Sequence, residues 1–176
     1  MDKYLTKTSV SRKRKSTEQR DEEETDQKAV QSYPGLEFVQ KKGDLFSCAE
    51  KDALAHCVSA DFRMGKGIAV LFKQKFGGVQ ELKDQLCRPG GVAVLKRGDR
   101  FVYYLVTKEK VYNKPTYPVL KSSLEAMRDH CVKNCVQTVS MPRIGCGLDG
   151  LQWTKVADMI QDVFRNTDMT INVYTI

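Results

Sequence analysis

MPRIGCGLDGLQW, residues 141–153, places three glycines, Gly145, Gly147 and Gly150, within six residues, and one acid, Asp149, among them. A strand is expected before this stretch and a helix after it, so the glycines mark a strand-to-helix loop. A second segment repeats the design: ALAHCVSADFRMGKGIAVLF, residues 53–72, runs from an apolar strand through Gly65 and Gly67 into an apolar helix. In an open α/β sheet, ligands bind where strands end and helix N-termini point, and free amides there favour phosphate. Two such loops can clamp one diphosphate, although each glycine pair is also what a tight turn alone requires.

Working outward from these loops gives the remaining elements. LEFVQ (36–40) reads as a first strand, and VQELKDQL (79–86) as a short helix after the Gly77–Gly78 break. GVAVLK (91–96) and RFVYYLVT (100–107) make a strand pair about a tight turn. Thr116 can cap a helix from Tyr117 to Lys133, with Leu120, Leu124, Met127 and Cys131 on one face. TVSMPRI (138–144) is a strand, LQWTKVADMIQDVFRN (151–166) a helix buried through Val156, Met159, Ile160, Val163 and Phe164, and TINVYTI (170–176) a last strand. Strands alternating with helices, most strands apolar throughout, predict a three-layer α/β/α fold with a mixed, largely parallel central sheet.

Residues 1–34 differ in kind: RKRK at 12–15 precedes EQRDEEETDQK, with no apolar periodicity. They read as a disordered charged tail, leaving one domain over 35–176. The basic cluster is either a nuclear localisation signal or a solvated run. The formal net charge is +7; the tail holds 8 basic against 7 acidic residues, and the remainder 21 against 15. The excess on the folded part favours a phosphate-bearing ligand. With no run of 18 apolar residues and no secretory leader pattern, a soluble intracellular protein with no membrane partner is expected, and its six cysteines as reduced thiols.

Several chemistries are disfavoured. GCGLDG has Rossmann spacing, but only 26 residues follow Gly150, too few for the strands that a dinucleotide fold still needs. No Walker A motif occurs. Cys131 and Cys135 continue a helix and form no C-x-x-C pair, so zinc is disfavoured. Cys146 is either a thiol nucleophile or a small residue that fits the turn. Lys108 ends the strand FVYYLVT, where a side chain can face the crevice and attack an electrophilic sugar carbon, or can simply be solvated within KEK. Asp149 is either a general base or a helix cap.

KKGDLF (41–46), LAHCVSADFRMGKGIAVLFKQKFGGVQEL (54–82), VAVLKR (92–97), YYLVTK (103–108), KPTY (114–117), SLEAM (123–127), SMPRIGCGLD (140–149) and LQW (151–153) together resemble the macrodomain family, in its ADP-ribose glycohydrolase branch. The resemblance covers about 36–176. It implies an ADP-ribose ligand and removal of ADP-ribose from modified Glu or Asp side chains, together with hydrolysis of O-acetyl-ADP-ribose. By the same resemblance Asp44 meets the adenine, Leu45 lines its pocket and Ile176 closes it. Ser59 and the loop Arg63, Gly65, Gly67 and Ile68 border the ribose and diphosphate, while Arg143, Ile144, Gly145, Cys146, Gly147, Leu148 and Asp149 wrap the diphosphate and distal ribose. Lys108 is implied as the nucleophile and Asp149 as its acid/base partner. No metal or cofactor is implied; ADP-ribosylated proteins and poly(ADP-ribose) are the implied partners, and a monomer is expected.

Overall fold

In the computed structural model, which describes residues 35–176, six strands form one sheet in the order β1-β6-β5-β2-β4-β3. They are β1 (Glu37–Lys42), β2 (Ala53–Ser59), β3 (Gly91–Arg97), β4 (Arg100–Lys108), β5 (Thr138–Pro142) and β6 (Thr170–Thr175). Every neighbouring pair is parallel except β3 with β4, so the mixed, largely parallel sheet expected from the sequence is present. The expectations for residues 1–34 lie outside the described residues.

Helices cover both faces. On one, α3 (Tyr117–Lys133) and α4 (Trp153–Phe164) pack Leu120, Leu124, Met127, Val156 and Ile160 against Ala55, Tyr103, Leu105 and Val139. On the other, α1 (Ile68–Phe76), α2 (Val79–Asp84) and a 3-10 turn (Leu45–Ser47) bring Phe72, Leu82 and Leu45 onto Leu54, Val58, Val102 and Tyr104. With both faces covered, β4 is buried from Val102 to Thr107 and cannot alternate apolar with polar. The edge strand β1 is mostly exposed, and its Lys41 and Lys42 discourage further pairing at that edge. Burying a side chain the size of Leu124 or Ile160 contributes roughly 2 kcal/mol.

Local chemistry explains the element ends. The Thr116 hydroxyl accepts from the Val119 amide at 3.4 Å, and Pro118 fits the first turn of α3. Strand β5 stops at Pro142 instead of running to Ile144, because proline has no amide for the ladder. Helix α4 starts at Trp153, not Leu151, because Gln152 is extended, at φ −80° and ψ 124°; the Leu151 amide donates to the Gly145 carbonyl at 2.8 Å. On its buried face Ala157 is covered and Met159 only half-covered, a small correction to the expected stripe.

One buried group is out of character. His56 is fully enclosed, its ring stacked on Phe72 at 3.8 Å and edge-on to Tyr104 at 4.8 Å, and neither ring nitrogen has a hydrogen-bond partner. Burial pushes its pKa down to about 3, so the ring is neutral in the core.

Candidate active site

Because five strands are parallel, their carboxyl ends open on one edge of the sheet, where both glycine loops lie. Lys108 is the last residue of β4. The β2–β4 register slips there: Val58 faces Val106, but Ser59 faces Lys108, leaving Thr107 as the extra residue of a bulge. A bulge re-aims the side chains that follow it. The Ala60 amide then donates to the Lys108 carbonyl at 2.8 Å and fixes the strand end.

The amine of Lys108 donates to Asp149 Oδ1 at 2.5 Å, and the two side chains are 12% and 15% exposed. Asp149 does not cap helix α4, which is entered through Gln152 with no side-chain cap; its carboxylate is paired with Lys108 instead. The loop that carries Asp149 is closed by its own backbone. Gly145 (φ +70°) takes the Leu151 amide on its carbonyl, and the Gly150 (φ +74°) amide donates to Gly147 at 3.2 Å. Lys114 adds a bond from its amine to the Leu148 carbonyl at 3.0 Å, beside Asp149.

The two glycine loops meet. A side-chain carbon on Gly67 would sit 3.6 Å from Leu148 Cδ1. Gly67, at φ +61°, precedes α1 and provides no side-chain cap, so nothing but the Val70 bond to its own carbonyl at 3.2 Å closes the helix start, which favours an anion there. Ahead of it, Ser59 is buried and donates to Asp61 at 2.6 Å, while the Arg63 amide reaches the same oxygen at 3.3 Å. Burial opposes the charge on Asp61, but Ser59 and then the Arg63 amide outweigh it and hold the carboxyl below its ordinary pKa. Phe62 and Met64 are buried with positive φ, so this loop holds a shape that L-residues rarely adopt. Gly65 is exposed and Ile68 half-buried.

In the second loop Ile144 is buried, the exposed Arg143 lays its guanidinium 5.4 Å from the Trp153 ring centre, and Cys146 donates to the Ile144 carbonyl at 3.3 Å. The Cys146 thiol is pushed up by burial, with Arg143 opposing. That favours the small-residue reading over the nucleophile. Gly147 is exposed, and a side chain there would meet nothing within 4 Å.

Asp44, Leu45 and Ile176 lie at the other end of the same edge, where the Gly43 amide donates to Thr175 at 2.7 Å. Asp44 accepts from the Phe46 amide at 3.0 Å, Leu45 is buried in the core beneath, and Ile176 is fully exposed. The four steps from β1 to β4, at about 4.8 Å each, span about 19 Å, so the two residue groups suit the ends of one elongated ligand.

The sequence reading missed Cys57, whose thiol is pushed far up by burial and then by the neighbouring Asp149 and Cys146. Its place two residues before the end of β2 is the available signal. It also gave no role to Tyr117, whose hydroxyl accepts from the Gln152 amide at 3.0 Å. Among the described residues no group of three or more His, Cys, Asp or Glu is placed to hold a metal ion. No helix among them is long and apolar enough to cross a membrane.

The loop geometry gives one testable consequence. Gly145→Ala combines a left-handed φ with a carbon 2.9 Å from Leu151 Cδ1, and should cost about 1–2 kcal/mol. Gly147→Ala, with open space, should be nearly neutral. Thermal melts of the two variants check this; equal Tm values would contradict it.

Residues 55–160 match the family model described as Macro domain. The chain is 60% identical over 142 residues to human "ADP-ribose glycohydrolase OARD1", covering 81% of this chain and 93% of that protein. Among solved structures, the macrodomain of Thermus aquaticus DarG superposes with a TM-score of 0.70 at 25% identity, over 80% of this chain and 98% of that one. Thermosipho africanus DarTG, solved in complex with ADP-ribose, gives a TM-score of 0.66 at 21% identity over 77% of this chain and 41% of that chain. The six-stranded sheet, the paired glycine loops at its carboxyl edge and a family match over most of the described residues agree: this chain belongs to the macro domain family.

Proposed function

We propose that this protein is an ADP-ribose glycohydrolase. It removes ADP-ribose from modified Glu and Asp side chains of proteins and hydrolyses O-acetyl-ADP-ribose. The observation that carries the reading is the Lys108–Asp149 pair, 2.5 Å apart at the carboxyl edge of the sheet where both glycine loops lie. The high identity to a curated ADP-ribose glycohydrolase supports it.

In this reading the adenine lies near Asp44 and Ile176, the diphosphate across the two glycine loops, and the distal ribose over Lys108. Asp149 takes a proton from the Lys108 amine, whose lone pair then attacks the anomeric carbon. The bond from that carbon to the ester oxygen breaks, and its electron pair leaves on the carboxylate of the modified protein. Such a leaving group needs little acid assistance, so most of the catalysis lies in placing the nucleophile. Water, with Asp149 managing its proton, then displaces the lysine and releases ADP-ribose. No metal or cofactor takes part in this scheme. ADP-ribosylated proteins are the main partners and poly(ADP-ribose) a further one, the protein acting as a monomer. A nuclear location, with a cytoplasmic share, belongs to the same reading and rests on the RKRK run at 12–15 alone.

The test is incubation of the protein with a peptide carrying ADP-ribose on one glutamate, following free ADP-ribose and the mass of the peptide. Catalytic release of the unmodified peptide is expected. Tight ADP-ribose binding with an untouched peptide would make the protein a binding module instead.

A further inference from the structure

An open cavity of about 440 Å³ lies apart from the Lys108–Asp149 pair, between the loop after β2 and the segment from α2 to β3. Asp61, Phe62, Lys83, Leu86 and Arg88 line it. Its place relative to Lys108 follows from the sheet. Strand β3 runs antiparallel to β4, so its start lies at the carboxyl end of β4: Gly91 faces Val106, and the Gly90 amide donates to the Val106 carbonyl at 2.8 Å. On the other side Ala60, also a lining residue, is bonded to the Lys108 carbonyl itself.

The strand order then separates two directions. From Lys108 toward β2, β5, β6 and β1 run the glycine loops and Asp44, the length assigned above to ADP-ribose. Toward β3 lies this cavity. A group leaving the anomeric carbon over Lys108 departs on the side that ADP-ribose does not fill.

The cavity has a chemical character suited to such a group. Lys83 and Arg88 are exposed, and among the described residues neither forms an ion pair. Asp61 is the one acid in the lining; it is held by Ser59 and the Arg63 amide, with Lys110 and Arg63 near enough to favour its charge. Positive charge therefore exceeds negative around an opening whose apolar parts are Phe62 and the 84% exposed Leu86. Both hold positive φ, at +49° and +52°, which keeps the two facing segments in defined, uncommon shapes.

We propose that this cavity is the acceptor subsite: it receives the polypeptide flanking the modified glutamate or aspartate, with preference for acidic neighbours that Lys83 and Arg88 attract. The inference rests on the glycohydrolase reading of Lys108. It makes the two cations specificity residues, remote from the reacting atoms.

The test compares the protein with its Lys83→Glu/Arg88→Glu variant, and with the milder Lys83→Gln/Arg88→Gln variant, on three substrates. These are an ADP-ribosyl-glutamyl peptide with acidic flanks, the same peptide with neutral flanks, and O-acetyl-ADP-ribose. For the acidic peptide kcat/KM should fall roughly tenfold in the Glu variant, chiefly through KM, with less than about twofold change on the other two substrates. The gap should close at high salt, since exposed charges are screened. No loss on the acidic peptide, or an equal loss on all three substrates, would overturn the subsite. So would a loss confined to an ADP-ribosylated oligonucleotide, assayed alongside as a fourth substrate, which would identify a nucleic-acid acceptor. Failure of the unsubstituted protein on every substrate would remove the glycohydrolase reading itself, and the subsite with it.

Discussion

Replacing Asp149 with alanine should lower turnover of an ADP-ribosyl-glutamyl peptide by on the order of a thousandfold while leaving ADP-ribose binding measurable. A protonated amine has no lone pair, and Asp149 Oδ1, 2.5 Å from Lys108 Nζ, is the group placed to take its proton. Both side chains are largely shielded from water, so bulk solvent substitutes poorly. Lys108→Ala should lose as much, because the nucleophile itself is gone. The two variants differ in one respect: only the aspartate variant retains an amine that can be captured by the sugar. Isothermal titration with ADP-ribose alongside the peptide assay separates catalysis from binding. Normal turnover by either variant would remove that residue from the chemistry, and loss of binding together with fold would be exposed by Asp149→Asn, which keeps the shape of the side chain.

Acid should destabilise the fold through His56. Its pKa is about 3 in the folded core, against an ordinary 6.5. Between those values the unfolded chain binds a proton that the folded core refuses, so stability rises with pH across that window. The contribution is complete above pH 6.5 and is lost as pH falls toward 3. At 1.36 kcal/mol per unit the full window amounts to on the order of 4–5 kcal/mol, and to about 3 kcal/mol by pH 4. His130, pushed down by burial and by Lys133, adds in the same direction. His56→Leu removes the titrating group and its two unpartnered nitrogens while keeping an apolar side chain between Phe72 and Tyr104. Urea unfolding at pH 7 and pH 4 should show that this variant loses about 3 kcal/mol less than the parent protein between the two values. Parallel losses would show that the ring finds a partner or water on folding.

What the sequence shows by itself is local. Thr116 three residues before Val119, and apolar residues at 120, 124, 127 and 131, predict α3 with its cap, and the structure has both. The apolar runs of β2 and β4 announce buried strands, and the glycines at 65, 67, 145, 147 and 150 mark where the chain turns at the sheet edge. That Asp149 pairs with Lys108 and leaves α4 uncapped is not a local matter. It depends on Lys108, 41 residues away, and on a bulge at Thr107 that no periodicity signals. Cys57 was hidden for the same reason, since its neighbours arrive from β4 and from the β5–α4 loop. The cavity beside Lys83 and Arg88 depends on β3 running antiparallel to β4, which brings its first residues back to the carboxyl edge.

In the proposed mechanism Lys108 attacks the distal ribose with Asp149 managing its proton. Intact-protein mass spectrometry of the Asp149→Ala variant after prolonged incubation with the ADP-ribosyl-glutamyl peptide, followed by peptide mapping, tests it most directly. Without Asp149 the amine still attacks slowly, but the water that must displace the lysine has no base to take its proton, so an ADP-ribose adduct mapping to Lys108 should accumulate while the unsubstituted protein shows only released peptide. An Asp149→Ala protein that binds ADP-ribose yet carries no adduct, or one modified elsewhere and still modified when Lys108 is alanine, would contradict it.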